Sequence, residues 1–165
     1  STFKYYKEET LAKCAQQYRW TLIDDSNRKD MFMDMIRQMD MSYSYKPVLI
    51  KAILLYADER GRIKLEDIVS YFRSYYESRR SAGLTVEKKN SIFAKGGYTD
   101  KDAERNILAN PFKRFEDMQM LRHTKTLGIV QVDESVWKRL SKDEKVEIEV
   151  ICDEKLDAYY ERFSK

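Results

Sequence analysis

Apolar positions recur at three- and four-residue intervals through most of the chain, the spacing that gathers them on one side of an α-helix. Over residues 1–44 two such stripes appear. The first is Tyr6, Leu11, Cys14, Ala15 and Tyr18; after a break at Asp24-Asp25-Ser26-Asn27, the second is Phe32, Met35, Ile36 and Met39. Met31, Met33 and Met41 thicken the second stripe. A methionine-rich helix can serve as an adaptable partner groove, but methionine is also the ordinary filler of core gaps, and core packing is the expectation taken here.

From residue 45 the pattern is better organised. Pro47 suits the first turn of a helix whose apolar face is Val48, Leu49, Ala52, Ile53, Leu55 and Tyr56, and Asp58-Glu59-Arg60-Gly61 ends it. The alternating Arg62-Ile63-Lys64-Leu65 reads as a short strand. A helix follows over about 66–80, with Leu65, Ile68, Phe72 and Tyr75 on one side and Gly83 beyond its end, where a left-handed residue commonly closes a helix. Residues 84–98 have no period and contain Gly96-Gly97, so they read as a loop-like insertion exposing Lys88, Lys89 and Lys95.

Three more starts are written into the second half. Thr99-Asp100-Lys101-Asp102 resembles a capping box opening a helix to about Ala109, and Asn110-Pro111 reads as a fresh start for a helix to about Leu121. Residues 121–126 and 128–132 then read as two strands of a hairpin joined at Leu127-Gly128. Asp133 caps a short helix carrying Val136, Trp137 and Leu140. Ser141-Lys142-Asp143-Glu144 opens the last helix, whose stripe is Ile148, Ile151, Cys152, Leu156, Tyr159 and Phe163. The order helix, strand, helix, insertion, helix, hairpin is that of a winged helix-turn-helix, in which a third helix enters the major groove and the hairpin wing touches the nucleic-acid backbone.

The expected fold is therefore mainly α with a small β-hairpin (α+β): a winged helix-turn-helix-like core with flanking N- and C-terminal helices. Residues 1–44 form an N-terminal helical pair. Residues 45–140 form the winged-helix-like domain with its insertion at 84–98, and 141–165 form a C-terminal helix packing on the core.

Composition narrows the function. Of 165 residues, 36% are charged and 42% hydrophobic, with only 5 Gly and 2 Pro, a globular balance poor in turn formers. The apolar run Val48 to Ala57 is interrupted by Lys51 and is half the roughly 20 residues a membrane helix needs, so no membrane partner is expected. Cys14 and Cys152 stand 138 positions apart and form neither a metal-type pair nor a disulfide framework, which fits a cytoplasmic location. The opening Ser1-Thr2-Phe3 lacks Met and suggests a piece of a longer protein. Net charge is +3, but it is uneven: residues 45–98 carry 11 basic and 6 acidic side chains, and 133–165 carry 7 and 10.

The basic side chains of the middle are the candidate nucleic-acid contacts. On the helix over 66–80, Arg73, Arg79 and Arg80 stand near Tyr71, Phe72, Tyr75 and Tyr76, of which Tyr71 or Tyr76 is expected to point off the core side and could stack a base. Lys88 and Lys89 belong to the insertion. Lys113 and Arg114 lie on the expected recognition helix, where Glu116 and Asp117 share the exposed arc and repel phosphate unless paired at home. Arg122, His123 and Lys125, with the hydroxyls of Thr124 and Thr126, decorate the hairpin as the most coherent cluster.

Catalysis finds little support. The chain has no phosphate-binding glycine loop, no G-x-S-x-G and no H-E-x-x-H, and His123 is its only histidine. The Asp-Glu pairs at 58-59, 133-134, 143-144 and 153-154 read as surface acids. No catalytic residue, metal site or cofactor is expected.

Two blocks are distinctive in wording. Met41-Ser42-Tyr43-Ser44-Tyr45-Lys46-Pro47-Val48-Leu49, continuing through Gly61-Arg62-Ile63-Lys64-Leu65-Glu66-Asp67, and Asn110-Pro111-Phe112-Lys113-Arg114-Phe115-Glu116-Asp117-Met118 resemble the accessory region C-terminal to the motor in bacterial DEAD/DEAH-type helicases and restriction-type proteins. The resemblance spans about 41–140. It implies an ATPase motor upstream in the parent chain as a partner, and for this piece the guiding or clamping of DNA, with strand type left open. The competing expectation is a helical protein-interaction module, docking on a motor domain or partner subunit through the methionine-rich helix or the acidic last helix.

Overall fold

The computed structural model describes residues 23–164, so the stripe from Tyr6 to Tyr18 lies outside the described residues. The described chain is mainly helical with one small antiparallel sheet. In order the elements are α1 (Arg28–Arg37), α2 (Tyr45–Tyr56), β1 (Arg62–Lys64), α3 (Leu65–Ser81), α4 (Ile92–Lys95), α5 (Asp100–Ile107), a π-helical turn (Leu108–Phe112), α6 (Lys113–Asp117), β2 (Leu121–Thr124), β3 (Ile129–Val132), α7 (Glu134–Trp137), α8 (Lys142–Glu161) and a closing 3-10 turn (Arg162–Ser164).

Helix α2 is central. Tyr45, Pro47, Val48, Leu49, Ile50, Ala52 and Ile53 are all buried, because α3, α8 and the π-helical turn pack around it, and a helix covered on several sides must be apolar on several sides. Pro47 sits in its first turn, where the missing N–H is one that has no partner inside the helix. On α3 the buried side is Leu65, Ile68, Val69, Phe72 and Tyr76, and on α8 it is Ile148, Cys152, Leu156 and Tyr159. Both capping boxes expected from the sequence form: Thr99 exchanges bonds with Asp102, and Ser141 with Glu144. Asp133 caps α7 by accepting the Ser135 N–H at 2.9 Å.

The methionines of α1 pack as core. Met33 and Met39 are buried, Met31 and Met35 lean on the core, and Phe32 meets Phe115 with ring centroids 6.0 Å apart.

Two sequence expectations change. Asn110-Pro111 does not begin a new helix; the backbone stays helical from Asp100 to Asp117 and widens by one residue through Leu108–Phe112. A π-helical turn accommodates Pro111 because its ring and missing N–H disrupt ordinary α-helical bonding, which the wider turn does not require at that point. Nor does the insertion simply lie exposed. Phe93 is fully buried against Tyr76 at 4.6 Å, Tyr98 at 5.0 Å and Tyr45 at 5.7 Å between centroids, while Val86, Glu87 and Ser91 are also buried. Glu87 accepts hydrogen bonds from the Ser44 N–H at 2.8 Å, the Ser44 hydroxyl at 2.5 Å and the Tyr159 hydroxyl, so this buried carboxylate ties the insertion to α2 and α8.

The sheet has the order β1-β3-β2, antiparallel throughout. Arg62 lies opposite Gln131, Ile63 opposite Val130 and Lys64 opposite Ile129; Leu121 lies opposite Val132, Arg122 opposite Gln131, His123 opposite Val130 and Thr124 opposite Ile129.

Candidate nucleic-acid interface

Because side chains alternate between the faces of a strand, this register sorts the basic residues of the sheet. Ile63, Leu121, Val130 and Val132 turn inward and are buried. His123 shares their face, half-buried, with its ring edge-on to Phe112 at 6.3 Å. The expected grouping of Arg122, His123 and Lys125 is thereby split. The signal for this is in the sequence: Leu121 lies two residues before His123 and dictates the inward side. Arg122 is exposed on the outer face, and Lys125 is exposed in the hairpin turn.

On that outer face Arg122 acquires neighbours that sequence reasoning missed. Arg62 and Lys64 of β1 are both exposed there, and Arg62, Gln131 and Arg122 form one row across the three strands. Nothing local announces this pairing, since β1 and β3 are separated by some 65 residues of chain. Arg62 Nε is held by Asp58 Oδ2 at 3.1 Å, with both side chains 47% exposed. Asp58 also accepts the backbone N–H groups of Arg60 and Arg62, and these bonds outweigh its slight desolvation and hold its carboxyl below the usual range. The Gln131 amide donates to the Arg60 carbonyl at 2.7 Å and to the Val132 carbonyl at 2.6 Å, which braces the strand ends. Lys64, Arg122 and Lys125 make no ion pair with described residues.

The other candidates fall into two groups. Five are committed within the molecule. Arg73 bonds Asp100 and lies over the Tyr98 ring at 5.1 Å, and the Asp100 bond holds its guanidinium charge more firmly than usual. Arg79 donates to the Thr85 carbonyl at 2.6 Å and stacks over the Tyr160 ring at 3.4 Å. Arg80 donates to the Phe93 carbonyl at 2.6 Å, and Lys88 to the Ser42 carbonyl at 2.5 Å. Lys113 bonds Asp117 at 2.5 Å with Glu116 at 3.9 Å, and the Asp117 bond raises the affinity of Lys113 for its proton. The arginines of α3 thus staple the insertion to the helix. Lys89 is exposed without an ion pair to described residues, and so is Arg114. Arg114 stands near Lys46, whose proton affinity is lowered first by burial, against the pull of Asp40 and with the push of Arg114.

The tyrosines of α3 differ from expectation too. Tyr76 is 1% exposed, and its hydroxyl shares a 2.7 Å hydrogen bond with the Ser44 hydroxyl. Tyr71 is half-buried beside Tyr56, at 6.3 Å between ring centroids. Neither is a free stacking platform.

Beside the outer face of the sheet, a cleft of about 670 Å³ between β1, the start of α3, α5 and the hairpin turn is lined by Glu66, Asp67, Asp100 and Glu104 together with Leu65, Val69 and, from that face, Lys64 and Ile129. Its acids disfavour phosphate. Among the described residues no group of three or more His, Cys, Asp or Glu could hold a metal ion, and no described helix is long and apolar enough to cross a membrane. Cys152 is buried, and burial pushes its thiol up to about 12, far from the thiolate a nucleophile requires.

No family model, no curated protein and no solved structure matches this chain.

Proposed function

We propose that this chain is a non-catalytic, winged-helix-like DNA-binding accessory module of a larger DNA-processing protein, which the resemblance of residues 41–140 makes a helicase with its motor upstream. The observation that carries the reading is the pairing of β1 with β3. It joins the hairpin to the strand between α2 and α3, and on this reading the turn at Lys125 is the wing and the helical run from Asp100 to Asp117 holds the third helix. In a winged helix these two elements face the nucleic acid.

The distribution of committed and uncommitted cations supports contact with backbone rather than bases. Lys113 is neutralised by its own helix, whereas Arg122 and Lys125 are exposed without ion pairs to described residues. The chain contributes no chemistry of its own in this reading; cleavage or unwinding belongs to the parent.

The test is fluorescence anisotropy with labelled DNA at low salt, repeated as salt rises. Affinity falls steeply with salt, and removing the charges of Arg122 and Lys125 together lowers the slope of log K against log[salt] by about two contacts' worth. Absence of binding at concentrations on the order of 100 μM, the weak end of non-specific DNA binding, ends the reading.

A further inference from the structure

We propose that the outer face of the three-stranded sheet, through Arg62 and Lys64 of β1 and Arg122 of β2, binds the phosphate backbone of a nucleic-acid duplex, so that the module docks by its sheet and wing and not by its third helix. This rests on the nucleic-acid reading above and specifies its surface and its ligand.

The face gathers three cations on one short sheet, bounded by acids at its edges. Its inner side carries the apolar residues, which leaves Arg62, Lys64, Arg122, Thr124, Ile129 and Gln131 outward. Strands lie about 4.8 Å apart, so the Cα atoms of Arg62 and Arg122, on either side of Gln131, stand roughly 10 Å from each other. Lys64 lies two residues along β1 from Arg62, about 6.7 Å further. Three long cationic side chains therefore rise from a rigid triangle and can reach successive phosphates without reordering the backbone beneath them. Asp58 anchors Arg62 through Nε, which orients the guanidinium plane and leaves its terminal nitrogens without a described partner.

Charge elsewhere confines the track to this face. Glu66, Asp67, Asp100 and Glu104 line a cleft that Lys64 and Ile129 also line, so these acids bound the track at its Lys64 end and repel phosphate from that side. Glu116 and Asp133 flank the hollow beside Arg122 at the opposite edge of β2, and Asp58 flanks Arg62. The third helix offers Lys113 already paired and Arg114 exposed beside the acids Glu116 and Asp117, so it presents fewer uncommitted cations than the sheet does.

The choice of duplex over single strand follows from what the face does not carry. Binding of single strands leans on aromatic rings on which bases stack. The described outward positions of the three strands hold no aromatic residue, and the half-buried tyrosines of α3 meet other rings, Tyr71 that of Tyr56 and Tyr75 that of Tyr76. A ladder of cations without rings reads backbone, which a duplex presents on a regular rigid path.

Anisotropy of the full chain with a labelled random-sequence duplex and with one of its strands tests this. The duplex binds at least several-fold more tightly. Lys64→Gln and Arg122→Gln, both at exposed positions, each lower the magnitude of the duplex salt slope by about 0.9, the loss expected per phosphate contact. Lys113→Gln leaves the slope where it was. Arg62→Gln behaves as the other sheet variants; should loss of its Asp58 bond unfold the protein, Arg62→Lys keeps the charge, and the Lys64 and Arg122 variants decide alone. Equal or tighter binding of the single strand overturns the duplex assignment while the nucleic-acid reading stands. An unchanged slope in the Lys64 variant overturns the sheet face as the site and leaves the nucleic-acid reading standing on DNA binding itself; an unchanged slope in the Arg122 variant as well removes Arg122 from the wing contact too. Failure of both DNAs to bind removes the reading and this inference together.

Discussion

Gly61 lies against the indole of Trp137 so closely that a β-carbon built on it falls 2.7 Å from Cγ of the ring. Its φ is +76°, a conformation that side chains other than hydrogen rarely adopt, and its carbonyl accepts the Val132 N–H at 2.8 Å. Gly61 thus closes the turn from Asp58 that leads into β1 and leaves room for Trp137 of α7. Gly83 shares the positive φ, at +72°, but a β-carbon there meets nothing within 4 Å.

The pair separates backbone strain from close approach. Gly83→Ala costs about 1 kcal/mol, the order expected for a left-handed alanine alone. Gly61→Ala costs more than that, about 3 kcal/mol or above, because the indole must also move. Chemical denaturation of both variants checks this; equal losses at the two positions would show that Trp137 yields freely.

Alkaline pH destabilises the fold through its buried phenols. Burial pushes the Tyr45 hydroxyl up to about 12, against the lowering effect of its bond to Ser91, and the same cause pushes Tyr76 well above its ordinary value. An unfolded tyrosine releases its proton near 10, so between about 10 and 12 the folded chain holds a proton that the unfolded chain has lost. The contribution is fully present below about 10 and is lost as pH rises through the folded value, on the order of 2 kcal/mol for Tyr45 alone. Denaturant midpoints taken across this range fall with pH, and Tyr45→Phe makes the fall shallower. A midpoint flat to the upper end of the range contradicts the account.

The methionines of α1 discriminate core from docking surface. Met39, two residues past α1, is 6% exposed, whereas Met35 is half-buried; both border a shallow hollow shared with Lys46 and Arg114. Met39→Asp replaces a buried apolar side chain by a carboxylate and lowers stability by about 2 kcal/mol or more, while Met35→Asp, at a half-buried position, costs no more than about 1 kcal/mol. Thermal melts measure both. If Met39→Asp leaves the melting temperature untouched and abolishes association with a parent motor domain, the interaction-module reading gains and core packing loses.

How much of this was legible beforehand depended on the range over which each feature is decided. Caps and stripes are local. Thr99 with Asp102 and Ser141 with Glu144 satisfy free N–H groups within one turn, so their residue types announce helix starts wherever the chain goes. The hairpin was readable as well, because alternation and a turn at Gly128 are properties of a dozen consecutive residues.

By itself, then, the sequence determined most of the described elements and their order, since propensity, capping and periodicity act between near neighbours, but not the short α4 inside the insertion or the unbroken helical run through Pro111. Tertiary structure alone decided which of them meet. The partnership of β1 with β3, and hence the row of Arg62 and Arg122, depends on closing a long loop of chain that no local pattern encodes. The capture of the insertion followed the same rule: Phe93 buries itself among rings from α2 and α3, and Arg79 and Arg80 turn from apparent DNA ligands into staples, because a nearby carbonyl or ring satisfies a guanidinium as readily as a phosphate does. Side-chain chemistry was legible throughout; its partners were a matter of three-dimensional proximity.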